Sequence, residues 1–184
     1  MSRGVLSALA ALLMLTACST ESPLLPARSY RDTSVPIASA AAFDPSRYAG
    51  RWYEIASFPM PFQTGCRKTQ AIYTPRGDGS FAVANSCTGR DGALREIEGD
   101  AVVTGPGRLE VRLDGVPFIA PYWVLWVDEG YRTAVVGVPS GRAGWILNRT
   151  PEITPDRFEA ARRILAHNGY DLSKLQVTDQ TGTP

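Results

Sequence analysis

The chain has one histidine, His167, and only three cysteines among 184 residues. The lone histidine lies in a stretch with no serine-nucleophile elbow or phosphate-binding loop near it, which leaves Ser-His-Asp and Cys-His catalysis without support. No run of apolar residues reaches the roughly 20 needed to span a bilayer as a helix; the longest is Val5–Leu15. Neither sign of charge dominates, with 19 basic against 18 acidic residues and no Lys/Arg cluster, so nucleic acid is not an expected partner. No metal or cofactor is expected either, since no His/Cys set with ligand spacing occurs. The Glu96 and Glu98 pair on one strand face reads as a solvated outer face more readily than as an acid pair.

What is present begins with a leader. Arg3 supplies a positive n-region, Val5–Leu15 an h-region too short to be an anchor, and Leu15-Thr16-Ala17-Cys18 resembles the bacterial lipobox. That resemblance implies cleavage of residues 1–17 and acylation of Cys18, and serine at position 19 resembles the outer-membrane sorting signal. Localisation at the outer membrane, lipid-anchored and facing the periplasm, is the resulting expectation. Residues 18–42 carry several prolines and many small residues without a period, and read as the lipidated cysteine and a flexible tether. If Cys18 carries lipid, Cys66 and Cys87 are left as a pair flanking the turn "TPRGDGS" in an oxidising compartment. They form either a disulfide, the expected outcome, or two buried thiols.

Residues 43–184 read as one domain. Eight strand-like runs, near 51–58, 68–75, 80–87, 93–104, 107–114, 121–128, 131–138 and 142–149, are separated by short Gly/Pro/Asp turns. The pattern predicts an all-β fold, an eight-stranded antiparallel up-and-down barrel. A helix follows: Thr154 as cap, Pro155 at its first position, Phe158, Ala161, Ile164 and Leu165 on one face, and Asn168-Gly169 as the stop. Its apolar stripe is expected to pack on the outside of the barrel, followed by a short closing strand near 174–178.

"YAGRWYEIASFP", "PYWVLWVDEGYRTAVVGV" and "WILNRTP" together resemble the three conserved regions of the lipocalin family, in order and across eight strands. Within that family the likeness is to the bacterial outer-membrane lipocalins and the apolipoprotein D group, over about residues 43–180. It implies a plugged end in which Arg149 stacks on Trp52, with Gly50 letting the backbone pass, and an opposite end open to an apolar cavity. It further implies that Tyr73, Asn85, Trp123 and Leu125 face inward, with Asn85 the polar group on an apolar wall. Phe118, Tyr122 and Trp126 are then expected at the rim or outside, where an exposed Trp126 would mark a membrane or homodimer contact. The implied partner is a fatty acid, lysophospholipid or similar amphiphile, and the alternative is a structural envelope lipoprotein with a filled barrel.

Overall fold

The computed structural model describes residues 28–182. The leader and Cys18 lie outside the described residues.

A single helical turn, α1 (Pro45–Tyr48), leads into β1 (Gly50–Ser57). There follow β2 (Arg67–Pro75), β3 (Phe81–Thr88), β4 (Leu94–Gly105), β5 (Arg108–Leu113), β6 (Ile119–Val127), β7 (Thr133–Gly137) and β8 (Gly144–Asn148). The chain ends with α2 (Pro155–His167) and β9 (Gln176–Val177). Each strand pairs antiparallel with the next, and β1 pairs with both β8 and β2, which closes an eight-stranded barrel with β9 added outside.

The closing seam is short. β1 meets β2 only from Gly50 to Tyr53, opposite Tyr73 to Gln70. Beyond it the two strands splay, and the C-terminal segment takes the freed edge: Val177 and Gln176 pair with Ala56 and Ser57. The Gln180 amide donates to the carbonyls of both Glu54 and Thr69, at 2.8 Å each, and so bridges the split.

Two cores result. One fills the lower barrel around Trp52, Tyr48, Phe81, Leu109 and Val124. The other lies between the barrel wall and α2, where Ala161 and Leu165 pack on Ile55, Leu125, Val135 and Ile146. Thr154 stands at the α2 N-cap without a side-chain capping bond. The Cys66–Cys87 disulfide, with Cα atoms 5.5 Å apart, joins the start of β2 to the end of β3.

The reading of residues 18–42 as a flexible tether is corrected for its described part. From Ser29 to Ala40 the chain is a strap laid on the barrel. Ser39 Oγ donates to Pro106 O (2.9 Å) and Ala40 N to Val124 O (2.8 Å). Ala38 N donates to Asn168 Oδ1 (3.1 Å) and Asp32 N to Gly169 O (2.9 Å). Arg31 is buried, its guanidinium donating to Asn168 O, Pro139 O and Val35 O, while Tyr30 stacks on Phe58. Such a strap has no period because its contacts are isolated backbone bonds and single anchoring side chains.

Candidate functional site

Trp52 is fully buried, and its indole N–H donates to Tyr48 O at 2.8 Å. The Arg149 guanidinium lies over its ring, 3.8 Å from the centroid. The same group donates to Arg51 O, Arg47 O and Tyr131 O, tying β1, α1 and the β6–β7 turn together. Gly50 has φ +94°, a conformation open to glycine. A Cβ there would also sit 3.4 Å from Arg149 Nη1. This end of the barrel is shut.

From the other end a cavity of about 390 Å³ descends into the barrel, within the size range of small-molecule sites. Its floor is a cluster of tyrosines. The hydroxyls of Tyr48 and Tyr122 are 2.7 Å apart, and the Tyr73 ring packs against both. Burial pushes the Tyr73 hydroxyl up to about 12 and those of Tyr48 and Tyr122 well above the ordinary range, so all three are neutral donors at neutral pH.

The walls above are mainly apolar, from Ala71, Val83, Val111, Trp145 and Leu147, with Asn85 among them. Gln70 Nε2 donates to Ser86 Oγ on the same wall (3.1 Å). Where β1 and β2 splay, the buried Glu54 carboxylate lines the cavity. It accepts from Ser57 Oγ (2.8 Å), Thr178 Oγ1 (2.6 Å) and Gln63 Nε2 (2.9 Å). Beside it the Gln63 Oε1 and Thr69 Oγ1 atoms are buried without a partner in the protein. Met60, Phe62, Val116 and Phe118 form the rim, with Arg95 and Arg142.

Tyr73 and Asn85 both line this cavity. Trp123 and Leu125 do not, and their inward assignment is corrected. Trp123 faces out with Arg108 over its ring at 4.3 Å, and Leu125 packs under α2. Tyr122 and Val124 point inward instead. A bulge between Val124 and Trp126 resets the phase, so that Val127 is again inward while Leu125 and Trp126 both join the outer core. Trp126 is half-buried there rather than an exposed patch. Glu96 and Glu98 are both solvent-exposed, with Glu96 at the cavity's edge. Among the described residues no group of three or more His, Cys, Asp or Glu side chains is placed to hold a metal ion.

Sequence reasoning missed Glu54, Tyr122 and Trp145. Glu54 was within reach: it shares the strand phase of Trp52, so an inward tryptophan implies an inward glutamate.

A family model described as Lipocalin-like domain matches residues 43–180. The chain is 39% identical over 149 residues to temperature-induced lipocalin-1 of Arabidopsis thaliana, covering 75% of this chain and 80% of that one. It is 39% identical over 145 residues to the outer membrane lipoprotein Blc of Escherichia coli, covering 77% and 81%. Apolipoprotein D of Macaca fascicularis is 36% identical over 151 residues, covering 77% and 79%. Among solved structures, insecticyanin from the tobacco hornworm superimposes with a TM-score of 0.65 at 22% identity, covering 84% of this chain and 88% of that one, a likeness of fold. A shut end held by arginine over tryptophan, an open apolar cavity and these relatives agree: the chain belongs to the lipocalin family, known for binding small hydrophobic ligands.

Proposed function

We propose that this protein is a lipid-anchored outer-membrane lipocalin that holds a single-chain amphiphile, a fatty acid or lysophospholipid, in the barrel. The observation that carries the reading is the cavity of about 390 Å³, apolar on most of its wall and open at one end. A filled structural barrel would leave no such space. Burying an acyl chain there contributes roughly 0.8 kcal/mol per methylene removed from water. Asn85 offers an amide to a carboxylate or hydroxyl, and Arg95 and Arg142 stand at the rim for an anionic head. The anchor is acylated Cys18, supported by the lipobox-like sequence and by similarity to an outer membrane lipoprotein. The ligand is carried, not transformed.

Mass spectrometry of lipids extracted from the purified protein tests this, together with fatty-acid titration followed by the fluorescence of Trp145, which lines the cavity. Co-purifying single-chain lipid and quenching that disappears in Trp145→Phe are expected. No extracted lipid and no quenching would return the protein to the structural reading.

A further inference from the structure

The strap has a direction. It starts beside the shut end, at Phe43 and Ala42, and passes Pro106 and Val124 on the outer wall. It then crosses the C-terminus of α2 at Asn168 and reaches the loops of the open end. There Tyr30 N donates to Gly141 O (2.8 Å), Tyr30 Oη to Pro59 O (2.7 Å) and Arg31 Nη1 to Pro139 O (2.9 Å). Gly141, at φ +66°, is matched to this seat: a Cβ on it would lie 2.1 Å from the Arg31 side chain and 2.2 Å from Ser29 Oγ. The described chain therefore emerges at the cavity mouth, not at the plugged end.

The mouth also collects exposed apolar side chains. Among the described residues, five large hydrophobics are exposed: Phe62 (48%), Leu94 (64%), Ile119 (46%) and Val177 (71%) lie at this end, and Val102 lies towards the other. Grouped exposed apolar residues on a soluble face mark a binding surface.

We infer that the strap aims the cavity mouth at the lipid bilayer, so that the rim of Phe62, Leu94 and Ile119 rests on the membrane to which Cys18 is anchored. The inference rests on the acylation proposed above. Nine residues, Ser19 to Ala27, separate the proposed anchor from Arg28, where the described chain begins. The described chain begins beside the mouth, and the shut end lies further from that point by the length of β1, eight residues or about 26 Å at 3.3 Å per residue, so the anchor approaches the barrel from its open end. Anchoring and aiming are then separate tasks: lipid on Cys18 holds the protein, and the Arg31 clasp orients it. An amphiphile entering the cavity passes from the bilayer across an apolar rim without crossing open water.

The test uses full-length acylated protein in vesicles of phosphatidylethanolamine and phosphatidylglycerol bearing brominated acyl chains. A fluorophore is attached at Leu94→Cys, at the mouth, or at Val102→Cys, towards the shut end. Leu94 is expected to be quenched several-fold more than Val102. Inserting about twelve Gly/Ser residues between Ala27 and Arg28 leaves the fold untouched and should bring the ratio towards one. Arg31→Ala should do the same. Equal quenching of the two sites in the parent protein, stronger quenching at Val102, or none at either would overturn the orientation. A ratio that survives both variants would overturn the role of the strap. Binding of a fluorescent fatty acid by the same protein in detergent is read separately. Its absence with the quenching ratio intact would sink the proposed ligand and leave the orientation standing.

Discussion

The two ends of this barrel are built on opposite terms. At the shut end each strong polar group is answered within the protein: the Arg149 guanidinium serves four backbone carbonyls and an indole face, and the Trp52 N–H has its own carbonyl. At the open end Gln63 Oε1 and Thr69 Oγ1 are buried without partners, and apolar side chains stand in water. Unmet polar atoms and exposed apolar area cost stability, and they persist where something else is to be bound. Stability is concentrated at one end and recognition at the other.

Truncating the plug should have the largest effect. Trp52→Ala is expected to cost about 3–5 kcal/mol, read as a lowered urea midpoint. The folded fraction should keep its fatty-acid affinity within about twofold; unchanged stability would remove the plug from the argument. Next comes the one covalent tie at the open end. Replacing Cys66 and Cys87 together by serine should cost roughly 3 kcal/mol, from the entropy of a loop closed over a separation of 21 residues. Reductant should shift the melting of the parent protein similarly and leave the double variant unmoved.

The tyrosine floor gives the third. Tyr73 titrates near 10 when unfolded and at about 12 when folded, so the native state retains a proton that the unfolded state gives up. Its contribution is complete below pH 10 and is lost as pH rises from 10 to 12, about 2–3 kcal/mol across the window. Urea unfolding in Tyr73→Phe should show a flatter alkaline decline. The smallest stability change belongs to the cavity wall. Asn85→Leu should move stability by less than about 0.5 kcal/mol while weakening fatty-acid binding by roughly 1 kcal/mol, about fivefold, in a fluorescence titration. A methyl ester of the same acid should bind both proteins alike.

The asymmetry between the ends also governs what could be read in advance. Strand positions and the helix were legible because period two, turn glycines and helix caps are local signals. Gly50, Trp52 and Arg149 were legible only through the resemblance of their three regions to the lipocalin pattern. The face of β6 was not legible. Every residue in "PYWVLWV" suits either core, so nothing marks whether Tyr122 and Val124 or Trp123 and Leu125 turn inward, and the bulge between Val124 and Trp126 then breaks the alternation before Val127. The strap was hidden for a different reason. Its affinity for the barrel resides in Arg31 and Tyr30, one charged and one aromatic residue in a proline-rich run; the Tyr30 hydroxyl bonds Pro59 O, and two of the Arg31 acceptors lie more than a hundred residues downstream at Pro139 and Asn168.

The split between β1 and β2 imposes an order on the making of the protein. β1 is the first strand to be synthesised, yet one of its edges is completed by β8 and the other, at Ala56 and Ser57, by residues near the end of the chain. Until Gln176 to Gln180 are available, that edge offers unpaired backbone groups to any passing strand. The barrel thus cannot be finished vectorially, from the first strand onward. It waits for this late segment, and a chain ending before Gln176 would carry an open edge in an otherwise assembled sheet.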